Sequence, residues 1–116
     1  LQERVDLVQP ESEFLSGFKL VAAPGDRSDH TAVEITSAGA TLLHLVDGLR
    51  HPIQATHPEW TSFIDSFPAQ TAATNKKLLA RAAASKALLF GAHLPFPALG
   101  RVEQTDTGFR WLEPAI

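Results

Sequence analysis

The chain has 116 residues, of which 44% are hydrophobic and 20% charged, and its formal net charge is −3. These values are typical of one globular domain, and no basic block or Lys/Arg-rich amphipathic stretch indicates a nucleic-acid or membrane-surface partner. No apolar run approaches the roughly 20 residues of a membrane span. Cysteine is absent, which excludes disulfides and thiolate metal ligands and favours a reducing, cytoplasmic location.

Four strands are predicted in the first half of the chain. Each is a short run rich in β-branched or large apolar residues, bounded by Pro, Gly or polar turn residues. A turn-like segment is expected over residues 11–17, and a hairpin turn over residues 37–40. The four predicted strands are residues 4–8, 18–22, 31–36 and 41–46.

One helix and three further strands are predicted after a long irregular segment at residues 48–67, whose aromatic content argues against disorder. Pro68 suits the first position of a helix over 68–85. Its expected apolar stripe is Ala72, Leu79, Ala80 and Ala83. A strand at 87–92 follows, and the chain closes with a hairpin of 102–104 and 109–112.

This order of elements predicts an α+β fold with mostly antiparallel strands and one main helix. In the strand 41–46, Leu43 and Leu45 face one way while Leu42 and Val46 face the other, so both faces of the sheet are apolar. One helix covers only one face. We therefore expect a partner chain or a missing N-terminal half to cover the second face. The chain begins with Leu1 and has no methionine, which also favours a processed chain or a fragment.

Asp47 and His93 are the strongest candidate functional residues, because each closes a run of apolar strand residues. A carboxylate and an imidazole at the ends of two buried strands can converge at one edge of a sheet, where burial favours pairing or a bound metal. Each candidate also has a purely structural interpretation. Asp47 would be a turn residue before Gly48, His93 would lie half-buried beside a Pro-rich turn, and Asp26 would belong to a Pro-Gly-Asp turn. His44 is interpreted as structural, since it lies on the opposite strand face from Asp47.

The order of three segments resembles the C-terminal half of a metallo-β-lactamase-fold hydrolase, in the branch with methyl-parathion-hydrolase-like and lactonase-like enzymes. The segments are the loop from Ala23 through Gly25 and Asp26 to His30, then Val46-Asp47-Gly48, then Gly91-Ala92-His93. The resemblance implies a four-layer αβ/βα sandwich. Residues 1–116 would be its C-terminal portion, a single domain or half-domain, without the N-terminal metal motif His-x-His-x-Asp-His.

The resemblance also implies roles for individual residues. Asp47 falls on the carboxylate that bridges two metal ions, expected to be Zn²⁺, and that orients the nucleophile. His93 falls on the last histidine ligand. Asp26 stands where the family has a histidine ligand, and a carboxylate there favours harder ions. His30 is expected to pack or hydrogen-bond behind the ligands. The candidates for contact with substrate are His51, Ile53, Trp60 and Phe96.

The implied activity is hydrolysis of an ester, lactone or phosphoester by a metal-activated water. Small-molecule substrate and an N-terminal half or homodimer partner are therefore expected, and the isolated chain is expected to be inactive. The alternative is a catalytically degenerate domain that serves as an interaction or dimerisation module. The change at Asp26 and the missing motif motivate this second hypothesis, whereas the ordered match of Asp47, His93 and the surrounding loops favours the hydrolase.

Overall fold

In the computed structural model, which describes residues 2–114, seven strands follow one another across one sheet in chain order. All neighbouring strands are antiparallel except the fourth and fifth, which are parallel. The predicted α+β class with one main helix is confirmed. The elements are β1 (Glu13–Leu15), β2 (Phe18–Ala22), β3 (Thr31–Ser37), β4 (Ala40–His44), α1 (Ile53–Thr56), α2 (Pro68–Ser85), β5 (Leu88–Phe90), β6 (Leu99–Thr105) and β7 (Gly108–Leu112).

The single parallel pair, β4 with β5, explains where the helices lie. Parallel neighbours need a crossover connection of a dozen or more residues, and here the crossover contains both α1 and α2. It carries α2 across one face of the sheet. The parallel pairing also brings the C-terminal ends of β4 and β5 to the same sheet edge, where the candidate site lies.

The core lies between α2 and that face of the sheet. Leu43 on β4, Leu89 on β5 and Leu79 on α2 are all completely buried. Burying one such side chain stabilises a fold by roughly 2 kcal/mol. Leu45 and Leu49, in the segment after β4, are buried in the same cluster. The core therefore holds the helix, the parallel pair and the segment that leads into the candidate site as one unit.

The opposite face of the sheet is also apolar, as the sequence predicted, and it is only half-buried. Directly paired residues of neighbouring strands share a face, so the strand register defines its composition. No element among residues 2–114 covers this surface, which we call the open face. Its two rows are Phe18, Ile35, Leu42 and Leu88, and Leu20, Val33, His44 and Phe90.

Helix α2 has the predicted bounds but a different buried stripe. It begins at Pro68 and ends before Lys86, which adopts a left-handed conformation (φ 55°) that closes the last turn. Ala80, expected in the core, is exposed. Alanine contributes little to periodicity, so it does not define the orientation of an alanine-rich helix. No helix among the described residues combines the length and apolarity that crossing a bilayer needs. The residues that α2 buries are Thr71, Thr74, Asn75, Leu78, Leu79 and Ala82.

Two predictions for the start of the chain are wrong. Residues 4–8 do not form a strand, and Leu7 is 93% exposed. The strand instead lies at Glu13–Leu15, inside the predicted turn, where it pairs with β2 around Gly17. Gly17 has a φ of 82°, which glycine adopts without strain. Strand formation there depends on pairing with β2 rather than on local β propensity.

Other boundaries shift where the chain leaves the sheet. The strand predicted at 41–46 ends at His44, because Val46 is left-handed with a φ of 55°. The segment 48–67, predicted irregular, contains the short helix α1. The strand predicted at 87–92 is confined to Leu88–Phe90. The hairpin turn at 37–40 and the terminal hairpin are confirmed, the latter with longer strands.

An ion pair joins α2 to the sheet on the covered side. The guanidinium of Arg81 donates to both carboxylate oxygens of Glu34 on β3, at 2.7 and 3.1 Å, and approaches Glu11 at 3.4 Å. The hydrogen bond and charge of Arg81 hold the pKa of Glu34 below its usual value, and Glu34 raises the pKa of Arg81. This bidentate geometry is the arrangement in which a partly exposed pair contributes measurably to stability.

We predict that Glu34→Gln lowers the free energy of unfolding by about 1 kcal/mol at neutral pH. Because the pKa of Glu34 is lowered in the folded state, its stabilisation is present above the ordinary carboxyl pKa and is lost as pH falls through the lowered value. Urea unfolding at about pH 7 and about pH 2 measures both effects, and the difference from wild type should vanish in acid. Glu103→Gln, in the more exposed pair with Arg110, is the control; an equal loss there would contradict the prediction.

Candidate metal and hydrolytic site

Asp47 and His93 lie at one edge of the sheet because they follow the two parallel strands. After β4 the chain turns sharply, and the Gly48 amide donates to the Leu45 carbonyl at 2.9 Å. The segments that follow the two strands are hydrogen-bonded to each other, because the Ala92 amide donates to the Val46 carbonyl at 3.1 Å. Two backbone segments that continue the parallel pairing therefore present Asp47 and His93 side by side.

The two side chains are in direct contact. Nε2 of His93 lies 2.8 Å from Oδ1 of Asp47, within hydrogen-bond distance. The His93 side chain is 50% exposed and that of Asp47 36% exposed. The structure thus brings together the two residues that the sequence singled out, and it leaves both accessible to a ligand.

His30 supports Asp47 from behind. Its Nδ1 lies 2.9 Å from the carbonyl oxygen of Ala23, and its Nε2 lies 3.1 Å from the amide nitrogen of Asp47. A carbonyl accepts only, so Nδ1 must carry the proton and donate, while Nε2 accepts from the Asp47 amide. His30 is therefore in its neutral Nδ1–H form, and it ties the loop that begins at Ala23 to the turn that carries Asp47.

Asp26 enters the site from the loop between β2 and β3. Its Oδ1 lies 3.5 Å from the guanidinium of Arg50, and both side chains are about four-fifths buried. The loop is held against the start of α2, where the Phe67 amide donates to the Gly25 carbonyl at 2.9 Å. Gly25 packs so closely on Thr71 that a Cβ atom there would lie 2.3–2.9 Å from Thr71 atoms. Glycine is therefore required for this loop to approach the helix.

The side chains of Asp26, Asp47 and His93 line one cavity of about 410 Å³. Arg27 and Arg50 add positive charge to its wall, and Ile64 adds an apolar surface. The combination suits a small polar or anionic group with an apolar portion. The lining residues are Asp26, Arg27, Asp47, Arg50, Ile64, Ser66 and His93.

The residues predicted to contact substrate lie outside this cavity. His51 is exposed, Ile53 is 43% exposed and Phe96 is 96% exposed. Trp60 stacks on His57 with ring centroids 4.0 Å apart. None of the four is among the lining residues of the cavity, so their contact with substrate stays a prediction.

Four further lining residues were not predicted from the sequence: Arg27, Arg50, Ile64 and Ser66. Arg50 carried a usable signal, because it follows Asp47 by three residues and has the opposite charge. Ile64 and Ser66 had none, since they lie in the irregular segment before α2. That segment is folded by Gln54, whose side-chain oxygen accepts from the amides of Arg50 and His51 and whose amide donates to the Trp60 carbonyl at 2.7 Å.

Asp47 and His93 are of the residue types that bind divalent metal ions. A carboxylate and an imidazole in contact on an accessible cavity wall are a suitable pair of donors for a divalent ion. Asp26 faces the same cavity, but its charge is balanced by Arg50. Within residues 2–114, no three His, Cys, Asp or Glu side chains converge closely enough to hold an ion by themselves.

Comparison with solved structures confirms the resemblance to metallo-β-lactamase-fold hydrolases. A dizinc quorum-quenching lactonase, AidC, superposes with a TM-score of 0.87 at 28% identity over 99% of this chain. The hydrolase AbOPH of the beta lactamase superfamily gives 0.83 at 23% identity over 91%. A probable metal-dependent hydrolase from Staphylococcus aureus gives 0.76 at 17% identity over 99%, which shows the fold alone. No family model and no curated protein matches the chain.

The chain spans only part of these proteins. It covers 40% of AidC, 37% of AbOPH and 42% of the Staphylococcus aureus hydrolase. The half-sandwich predicted from the sequence is consistent with this share, with one face of the sheet covered by α2 and the other open.

We predict that His30→Ala lowers the free energy of unfolding by about 2 kcal/mol, because it removes two hydrogen bonds at a partly buried position. The amide of Asp47 should then exchange with solvent faster, which hydrogen-exchange NMR measures residue by residue. His57→Ala, which removes a ring that pairs with Glu59 and stacks on Trp60, is the control and should leave exchange at the Asp47 amide unchanged. Unchanged exchange at Asp47 in His30→Ala would show that His30 does not hold the turn.

Proposed function

We propose that residues 1–116 are the C-terminal portion of a metal-dependent hydrolase that acts on an ester, lactone or phosphoester. The observation that carries the proposal is the 2.8 Å contact between Asp47 and His93 at the rim of a metallo-β-lactamase-like sheet. Both side chains face a cavity large enough for a small substrate. Two of the similar structures are a lactonase and a hydrolase, which supports this class of reaction.

In this proposal Asp47 and His93 are donors to a divalent ion, with zinc as the preferred candidate. When bound, such an ion lowers the pKa of a water ligand to near 7 and polarises the scissile group. Asp47 orients the attacking water through its carboxylate. His30 keeps the Asp47 turn in place, since its Nε2 accepts from the Asp47 amide. Asp26 is proposed as a further donor, whose carboxylate Arg50 holds in position.

The remaining donors and the cover of the open face are proposed to come from an N-terminal half of the same fold. The open face has Ile35 and Leu42 paired side by side on neighbouring strands, half-buried and without cover from residues 2–114. A contiguous apolar surface of this kind is normally buried against another layer or chain. The chain's share of about 40% of AidC leaves ample length for such a half.

The test is to express the chain together with the coding sequence upstream of Leu1, then measure bound metal and hydrolysis of a lactone, an aryl ester and an aryl phosphotriester. We expect a divalent metal and activity on at least one of these substrates. Asp47→Asn and His93→Ala should each reduce activity by about a hundredfold or more and reduce bound metal. Mutating residues that only hydrogen-bond to metal ligands already lowers metal affinity or activity by about 10–100-fold.

Arg110→Ala, on the terminal hairpin, is the control and should retain both metal and activity. A purified, folded polypeptide without bound metal or hydrolytic activity on all three substrates would contradict the proposal.

A second candidate function is a non-catalytic assembly module. The observation in its favour is the pairing of Asp26 with Arg50, which balances the charge of a would-be ligand. The open face would then form the contact between two copies of the chain, as in the two-fold interfaces common in homodimers. This candidate predicts a stable dimer that binds no metal.

Ile35→Lys distinguishes the two candidates. In the hydrolase proposal the extended polypeptide covers the open face internally, so this change should cost about 3 kcal/mol of stability and leave the molar mass unchanged. Thr36→Lys, at an exposed neighbouring position on the other side of the strand, is the matched control and should cost about 0.5 kcal/mol or less. Light scattering that shows a metal-free dimer, dissociated by Ile35→Lys alone, would favour the assembly module.

A further inference from the structure

Two buried polar side chains on α2 lack partners beneath the candidate site. Asn75 is completely buried, and neither its amide nitrogen nor its amide oxygen has a hydrogen-bond partner among the protein atoms of the described residues. The hydroxyl of Thr71, one helical turn earlier, is in the same situation. Buried polar atoms are nearly always satisfied by protein or by ordered water, so this pair indicates a bound group.

A small cavity adjoins these atoms. It has a volume of about 10 Å³ and lies between α2, the loop that carries Gly25 and Asp26, and the turn at Asp47. Such a volume holds about one water molecule. Its wall includes Gly25, Asp26, His30, Asp47, Gly48, Thr71, Thr74 and Asn75.

The donors and acceptors of Asn75 and Thr71 suit a water molecule. The amide of Asn75 offers a donor as well as an acceptor, and the hydroxyl of Thr71 offers both. A water molecule can accept from the Asn75 nitrogen and donate to its oxygen or to Thr71. One water molecule matches both this mixture of donors and acceptors and the volume of the cavity. The neighbouring hydroxyl of Thr74 is already committed, because it donates to the Pro24 carbonyl at 2.6 Å.

We infer that Asn75 and Thr71 bind one buried water molecule that links α2 to the turn carrying Asp47, and that Asn75 is a positioning residue for Asp47. The side chain of Asn75 lies close to this turn: its Oδ1 is 3.8 Å from the position that a Cβ atom on Gly48 would occupy. His30, another residue of this cavity wall, accepts a hydrogen bond from the Asp47 amide at 3.1 Å. In this inference the turn has two supports, the imidazole of His30 and the water held by Asn75 and Thr71 in the cavity that Asp47 and Gly48 also line.

The experiment uses the 116-residue chain and does not depend on hydrolysis, so a failure of the proposed function leaves it unaffected. NMR magnetisation transfer from a long-lived bound water to the side-chain NH₂ of Asn75 is expected in the wild type. Thr71→Val removes the hydroxyl at nearly constant volume, whereas Thr71→Ser retains it. We expect Thr71→Val to weaken the water signal and Thr71→Ser to preserve it.

Asn75→Leu should abolish the bound water and accelerate exchange of the Asp47 amide by about tenfold, because the turn loses one of its supports. Lys77→Ala, at an exposed position of the same helix and outside the cavity, is the control and should leave the bound water and exchange at Asp47 unchanged. The inference is overturned if the wild type shows no transfer from water to Asn75. Should Asn75→Leu not fold, equal water signals in Thr71→Val and Thr71→Ser would overturn it.

Discussion

The parallel pairing of β4 with β5 is the constraint on which the candidate site depends. Parallel strands end at the same edge of a sheet, so the residues that follow them are neighbours although 46 positions separate Asp47 from His93. The bond from the Ala92 amide to the Val46 carbonyl extends this pairing beyond the strands. The contact between Asp47 and His93 is thus a consequence of backbone hydrogen bonding, and it does not require the two side chains to find each other independently.

Helix α2 serves both the core and the site. Its Leu79 is completely buried in the core, while Thr71 and Thr74 face the loop of Gly25 and Asp26. Polar residues on the buried stripe of a helix are normally unfavourable unless they are satisfied. Here they orient the loop, since Thr74 bonds the Pro24 carbonyl and Gly25 packs directly on Thr71. The position of Asp26 therefore depends on the packing of a helix that lies more than forty residues later in the chain.

The elements that were predicted correctly from the sequence are those with strong local signals. Pro68 marked the start of α2, and the small residues at 37–40 marked the hairpin turn. The weakly marked strand β1 was missed because its formation depends on pairing with β2. At the site, Asp47 and His93 were predicted because each interrupts an apolar run, whereas Ile64 and Ser66 were not, because only the folding of the preceding segment brings them to the cavity.

The sequence by itself determined that the sheet has two apolar faces and that acidic and imidazole side chains follow its central strands. The first conclusion rests on alternation along an extended chain and the second on where the apolar runs end, and both are local properties. Only the tertiary structure decided that Arg50 pairs with Asp26, that His30 is held in its neutral Nδ1–H form, and which stripe of α2 is buried. Those features depend on distances between segments remote in the chain, and no local pattern encodes such distances.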